Sequence, residues 1–385
     1  MVRRFKNYYH LLQAASANVL YNFPSKELTV IGVTGTDGKT TTSSILFNIL
    51  KEAGYKTALV TTIGAYIHDD FYETGLHTTT PSARTLQKYI KKAKQSGCTH
   101  LVLEITSHGL DQNRAWGIPF QIGVITNVTH EHLDYHKTYE RYVKAKSKLL
   151  RVAKIAILNK DDASYPLLTT MLKNKPHLSY SLKKDELLPK EMKIIGAFNK
   201  QNALAAATAA KELGVSEEVI KQTVSSFTAP EGRQEIIHDD AFKVIIDFAH
   251  TPNAFEQVLP VIKKQTKGRL IHVFGAAGKR DMSKRPEMGR ASSTYADTVI
   301  LTAEDPRGED MDKINSEIKS GFVKKPALYE YHNRKEAIRF ALGLAKKGDS
   351  ILLTGKGHEK SINYNGKEEA WSDKETVFEV LNKVL

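Results

Sequence analysis

The chain has 385 residues, more than one ordinary core accommodates, so two or three domains are expected. Its 41% hydrophobic and 26% charged residues are typical of a soluble globular protein, and no stretch approaches the ~18 apolar residues of a membrane span. A formal charge of +13 suits polyanionic partners or a lysine-coated solvated surface, and one cysteine, Cys98, excludes an internal disulfide and any cysteine-clustered metal site. The single thiol fits a reducing, cytoplasmic setting. With no alternation of arginine and aromatic residues, nucleic acid is not an expected partner.

In chain order, the first 27 residues begin "MVRRFKNYYHLLQAASANVLYNF", basic and then aromatic-apolar, but broken by Asn7, His10, Gln13 and Asn18. They lack the compact apolar run of a secretion signal. The expectation is an amphipathic helix resting on a domain, with contact at a membrane surface as the alternative. "LTVIGV" then reads as a strand, followed by a helix near Thr40–Ala53 and the strand "KTALVTT". A helix near Ala83–Ser96, the strands "THLVLEI" and "QIGVITNV", a helix near Tyr139–Leu150 and "KIAILN" continue the alternation. Such alternation predicts a mostly parallel sheet covered by helices, with ligands at the carboxyl ends of its strands.

Residues 160–193 are lysine-rich and less regular, which suggests a small antiparallel insertion. "NKQNALAAATAAKELG" predicts a strong helix opened by asparagine and closed by Gly214. The Pro-Gly stretch "TAPEGRQE" suggests a boundary, so a central domain over 28–232 and a C-terminal domain over 233–385 are expected. The strands "FKVIIDFAH", "RLIHVFGAAG", "DTVILTAEDPRG" and "DSILLTGKGHE" each run into a polar loop, as in a smaller Rossmann-like α/β domain.

The stretch "TVIGVTGTDGKTTT" places a glycine turn between a strand and a helix, as a triphosphate requires. Backbone N–H groups of Gly35, Thr36, Asp37 and Gly38 can approach phosphate, and a helix starting near Lys39 adds its positive dipole end. Lys39 can neutralise the β- and γ-phosphates, and the Thr40 hydroxyl, followed by Thr41, can reach Mg²⁺. The usual phosphate-loop spacing is not kept, since Val33 stands where its first glycine belongs.

That divergence, with "HTTTPSA", "EITSHGLDQNR", "TNVTHEHLDYHKTYERYVKAKSKLL", "GAFNKQNALAA", "PEGRQE", "DFAHTPNA", "FGAAGKRDMSKRPEMG" and "GKGHE", resembles the Mur ligase family and, within it, MurE-type enzymes. The motifs stand in family order over roughly residues 28–375. The resemblance implies an ATP-dependent ligase of peptidoglycan precursor synthesis that forms an amide through an acyl phosphate. It implies Mg²⁺ ligation by Thr40, Glu104 and His132, and catalytic roles for Glu104 and His132 with Lys39 and Lys146. Lys146 matches the family lysine that carries a CO₂-derived carbamate and helps position a second Mg²⁺.

By the same resemblance, Asn199, Asn202, Arg233, Asp247 and His250 contact ATP, although both asparagines suit helix capping. Thr78, Thr79, Thr80, Pro81, Ser107, His108, Gln112 and Arg114 would bind the acceptor, a UDP-N-acetylmuramoyl dipeptide. Glu304, Asp305, Pro306 and Arg307 stand where diaminopimelate enzymes carry Asp-Asn-Pro-Arg; with Arg285, Gly355, His358 and Glu359 they would hold the amino acid. The retained Arg307 points to meso-diaminopimelate, and the two changed letters keep L-lysine or another diamino acid as the alternative. A folylpolyglutamate-type ligase and a non-catalytic nucleotide-binding protein are the rival readings. The family normally places a uridine-holding domain ahead of the phosphate loop, and the 28 residues before Thr29 are too few for one. Either the UDP end is bound differently, a partner supplies that domain, or the acceptor is not a UDP-sugar. A monomer is expected, without a motif that fixes the oligomeric state.

Overall fold

Apolar strands alternating with amphipathic helices fold, in the computed structural model, into two α/β units, Met1–Thr228 and Ala229–Leu385. Residues 2–68, 70–73, 80–129 and 131–384 are described. The first unit opens with α1 (Val2–Leu20), which packs along α3 through Ala14, Ala17 and Ala83. Next come β1 (Thr29–Thr34), α2 (Lys39–Glu52), β2 (Thr57–Val60), β3 (Ala65–Ile67), β4 (Asp70–Tyr72), α3 (Ala83–Gln95) and β5 (His100–Glu104). They are followed by α4 (Ser107–Asp111), β6 (Phe120–Ile125), α5 (Leu133–His136), α6 (Tyr139–Val152) and β7 (Ile155–Asn159). The unit closes with α7 (Tyr165–Leu172), β8 (His177–Tyr180), α8 (Ala197–Glu212) and α9 (Glu217–Ser226).

Its eight-stranded sheet has the order β4-β3-β2-β5-β1-β6-β7-β8. All pairs are parallel except β2–β3 and β3–β4. Helices cover both faces of the central strands, which is why β1 reads as a nearly unbroken apolar run with Val30, Ile31 and Val33 fully buried. Gly32 and Gly123 are register partners on β1 and β6, and a Cβ built at Gly32 would lie 2.6 Å from Leu149 Cδ1. At Gly123 it would lie 3.0 Å from the Cβ of Ala153. The two glycines thus form a flat patch on which α6 sits close.

Two expectations are corrected here. The lysine-rich stretch is not an antiparallel insertion: it holds α7 and then β8, which extends the main sheet parallel to β7. The exposed, polar face of an edge strand hid its membership of the sheet. The alanine-rich helix is not opened by asparagine; it starts at Ala197 with Gly196 as its N-cap, and Asn199 lies within its first turn.

The second unit contains β9 (Glu235–Asp239), β10 (Lys243–Asp247), α10 (Pro252–Gln265), β11 (Leu270–Phe274), α11 (Lys284–Tyr295), β12 (Thr298–Thr302) and α12 (Met311–Lys319). It continues with β13 (Ala327–Tyr331), α13 (Arg334–Leu344), β14 (Ser350–Thr354), the hairpin β15 (Ser361–Tyr364) and β16 (Lys367–Ala370), and α14 (Asp373–Val384). The sheet order is β13-β12-β11-β14-β10-β9, with only β9 antiparallel. The crossing between β11 and β14 brings the loops after β12 and β14 to one end of the sheet, where the polar motifs lie.

Candidate active site

In the first unit, the turn between β1 and α2 is moulded against the end of β6. The Asp37 N–H donates to Asn127 Oδ1 at 2.9 Å, and the Thr126 hydroxyl donates to the Asp37 carbonyl at 2.6 Å. Gly35 is required because a Cβ there would sit 1.8 Å from Thr126 Oγ1. Gly38 is required twice: its φ is +77°, and its Cβ would fall 2.1 Å from Asn202 Oδ1. As the N-cap of α2 it offers no side chain to the first-turn amides, the arrangement that suits an anion. Lys39 Nζ donates to the Thr36 carbonyl at 2.8 Å, and Thr41 is buried behind it.

Glu104 ends β5, next to β1, and is almost fully buried. It accepts from the Thr40 hydroxyl at 2.9 Å and from the N–H and hydroxyl of Thr62 at 3.1 and 3.0 Å. Hydroxyl and carboxylate together form a hard-oxygen pair at the mouth of α2, which fits Mg²⁺ better than a softer ion. Among the described residues, no group of three or more His, Cys, Asp or Glu converges as a metal site.

Lys146 comes to this turn from α6. Its side chain is sealed from solvent, and Nζ donates to the Gly35 carbonyl and lies 4.5 Å from the centre of the Tyr142 ring. Burial, and second the ammonium of Lys39, push its pKa well below that of an ordinary lysine, against the opposing pull of Glu131, Asp37 and Asp162. Tyr142 ties the group together: its hydroxyl is 3.1 Å from Thr36 Oγ1, and its ring centre is 6.2 Å from that of His132. His132, at φ +55°, is half-exposed with Nε2 3.6 Å from Glu131. Sequence reasoning missed Tyr142, Glu131 and Thr62. Only Tyr142 carried a signal, standing one helical turn before Lys146.

Of the predicted acceptor residues, Thr78 and Thr79 lie outside the described residues. Thr80, Pro81, Ser107, His108, Gln112 and Arg114 are brought together around α4. Thr80 Oγ1 accepts from the Thr106 N–H at 2.9 Å, and Arg114 donates to the Thr80 carbonyl and to Gln112 Oε1. Ser107 Oγ lies 3.0 Å from His136 Nε2, and the His108 ring sits 4.8 Å from that of His132. Pro81, next to Thr80, is buried. In α8, Asn202 lies against Gly38 of the turn and accepts weakly from the Thr42 hydroxyl of α2, while Asn199 donates to the Ile195 carbonyl and accepts weakly from Asn202.

In the second unit, the Arg233 guanidinium lies 4.4 Å above the Phe248 ring and 3.4 Å from His358 Nδ1. Asp247 ends β10 and accepts from the N–H groups of Gln234 and Ala249, both at 2.7 Å. Burial raises its pKa, although Arg233 and these amides oppose the shift. His250 Nδ1 is 2.8 Å from the Phe248 carbonyl.

Around the loop after β12, Asp305 is held by Lys356 at 2.9 Å and Arg307 at 2.9 Å. Burial alone would raise its pKa, but these two cations and the Asn363 N–H hold it below the usual carboxylate range. Lys356 also pairs with Glu359 at 2.6 Å. Gly355 packs against Glu304, whose Oε2 is buried without a hydrogen-bond partner, and the Pro306 carbonyl presses on Gly278. Arg307 and Gly308 both adopt left-handed conformations, at φ +52° and +78°.

The structure does not offer Arg285 as an open site. Its guanidinium is fully buried, bidentate to Glu309 at 2.9 Å and paired with Glu317 at 2.7 Å. A ligand carboxylate would have to displace one of those acids, so in this structure Arg285 fixes the loop holding Glu309.

A strand, glycine turn, Lys-Thr and helix beside a strand-end carboxylate, followed by a second α/β unit with ionic loops, define a nucleotide-dependent enzyme of the phosphate-loop class. Residues 33–191 match the Mur ligase middle domain and residues 232–357 the Mur ligase, glutamate ligase domain. A UDP-N-acetylmuramoyl-L-alanyl-D-glutamate--2,6-diaminopimelate ligase of Aquifex aeolicus is 38% identical, over 95% of this chain and 80% of the relative. A solved structure of an enzyme with that name is 31% identical with a TM-score of 0.63, covering 96% of this chain and 82% of its own. Folylpolyglutamate synthase of Mycobacterium tuberculosis, 14% identical with a TM-score of 0.70 over 90% of this chain and 92% of its own, shares the fold. This chain belongs to the Mur ligase family, whose members are ATP-dependent acid–amino-acid ligases.

Proposed function

We propose that this chain joins a diamino acid, meso-diaminopimelate, to UDP-N-acetylmuramoyl-L-alanyl-D-glutamate in the cytoplasm. The observation that carries the reading is the buried Glu104 bonded to Thr40 at the first turn of α2, with Lys146 sealed on the other side of the same turn. The turn amides and Lys39 hold the β- and γ-phosphates of ATP. The acceptor's carboxylate, positioned near Arg114 and His108, attacks the γ-phosphorus and gives an acyl phosphate and ADP. The amino group of the incoming amino acid then displaces phosphate. Thr40 and Glu104, with His132, would hold Mg²⁺, which supplies charge neutralisation at the phosphates. Lys146, whose pKa burial pushes well down, is suited to carry a carbamate, and the carbamate oxygens would serve a second Mg²⁺ site.

Arg307 is the group we assign to the distal carboxylate of diaminopimelate, which lysine lacks, and Glu359 to the distal ammonium. Supporting this, Asp305 already draws one N–H of Arg307 into the loop, and Arg307 Nε is buried without a partner. The deciding experiment is mass spectrometry of the products from UDP-N-acetylmuramoyl-L-alanyl-D-glutamate, ATP and an equimolar mixture of diaminopimelate and L-lysine. The expected product is the diaminopimelate tripeptide, with phosphate release dependent on both acceptor and amino acid. Release independent of both marks a simple ATPase and overturns the reading.

A further inference from the structure

A cavity of about 630 Å³ lies in the first unit between α1 and α6, within the size range of small-ligand sites. Asn7, Tyr8, Asp111, Arg141, Lys144 and Lys148 are among its lining residues. Arg141, Lys144 and Lys148 are spaced to share one face of α6, opposite the face that carries Tyr142 and Lys146 to the phosphate turn. Asp111 is already committed: it pairs with Lys148 at 3.1 Å and accepts from Tyr135 at 3.0 Å and Asn7 at 3.3 Å. Among the described residues, neither Arg141 nor Lys144 has a side-chain hydrogen bond or ion pair. Two exposed cations with no acid to answer them therefore face a concave space, beside a tyrosine ring that is 65% exposed.

The cavity also adjoins the candidate acceptor site. Asp111 ends α4, immediately before Gln112, and the ring of its partner Tyr135 is tilted against that of His108, with centres 4.2 Å apart. A molecule lying along His108 and Gln112 reaches the cavity by passing Asp111. We infer that this cavity binds the sugar diphosphate end of the acceptor, its two phosphates answering Arg141 and Lys144 and a ring of the carrier lying on Tyr8. The inference rests on the ligase reading above and adds to it the means by which the carrier end is held.

The test uses the double variant Arg141→Glu/Lys144→Glu in the full chain. Both positions are exposed, and acidic residues near the start of α6 suit its dipole, so folding should be intact and is checked by thermal melting. The KM for UDP-N-acetylmuramoyl-L-alanyl-D-glutamate should rise about tenfold or more, with kcat and the KM for ATP unchanged. The KM for N-acetylmuramoyl-L-alanyl-D-glutamate, which lacks the diphosphate, should be the same in both proteins. Equal KM values in variant and parent for every diphosphate-bearing acceptor overturn the inference.

Binding is measured separately by titrating UDP-N-acetylglucosamine into protein whose phosphate turn is filled with magnesium and a non-hydrolysable ATP analogue. Binding weakened by the double variant supports the site; binding equal in parent and variant, or undetectable in the parent, overturns it. If no acceptor yields an amide, the ligase reading fails while this titration still decides the cavity.

Discussion

Lys146 has surroundings unlike those of an ordinary lysine: burial from solvent, a carbonyl acceptor, an aromatic face and a second ammonium nearby. A lysine is seldom buried so completely unless a partner or a chemical task holds it there. Burial pushes its pKa well below that of an ordinary lysine, which favours the uncharged amine, the form that reacts with CO₂. Lys146→Met should therefore lower kcat by about 100-fold or more, in the range seen when a preorganised electrostatic group is lost. ¹³C NMR of the parent equilibrated with ¹³C-bicarbonate should show a carbamate carbon that the variant lacks. A variant within about threefold of the parent, or a parent without that signal, removes the assignment. At this scale the sequence was legible where chemistry is local. Gly38, Lys39 and Thr40 mark by their order alone the turn between β1 and α2, whereas Glu131 and Thr62 enter only because strands and helices distant in sequence pack together. Arg285 shows the converse, since no local pattern revealed the two carboxylates that enclose it.

Between elements, the placement of Lys146 depends on how closely α6 approaches the sheet. Gly32 and Gly123 lie side by side beneath Leu149 and remove the side chains that would hold the helix away. Gly32→Val adds a branched side chain where even a Cβ is 2.6 Å from Leu149 and 3.0 Å from Phe120. Overpacking of this kind costs about 1–3 kcal/mol, which should appear as a lowered midpoint in urea unfolding. Because α6 carries both Tyr142 and Lys146, kcat should fall as well, and Leu149→Ala in the same chain should recover part of both losses. Additive effects of the two substitutions would show that the helix does not rest on the glycines. The parallel core strands and the helices between them could be read from hydrophobic period and caps. The antiparallel pair β3–β4 and the edge strand β8 could not: they are three or four residues long, and β8 is largely exposed, so their pattern hardly differs from that of a loop.

On the scale of the whole chain, stability against pH should be set in part by one histidine that plays no role in the proposed chemistry. His272 lies in β11, fully buried, with Nδ1 2.9 Å from Ser292 Oγ and Nε2 3.0 Å from Thr354 Oγ1. Burial, and second the charge of Arg334, bring its pKa down to about 3. The folded second unit thus keeps it neutral, while the unfolded chain takes up a proton below about pH 6.5. Its contribution is complete above that value and is lost as pH falls toward 3, with a slope approaching ~1.4 kcal/mol per pH unit. Between pH 7 and pH 5 the loss should amount to about 2 kcal/mol. Glu309, held near 2 by Arg285, loses its contribution only below its ordinary range near 4.5 and so leaves this window clear. Asp247, whose pKa is raised, pulls in the opposite direction, but it does so equally in a chain that differs only at position 272. His272→Gln keeps one donor and one acceptor and cannot titrate. Urea unfolding of the second unit should therefore show the parent losing about 2 kcal/mol more than the variant between pH 7 and pH 5. Equal losses in the two proteins would mean that the folded chain accommodates a charged imidazole between Ser292 and Thr354.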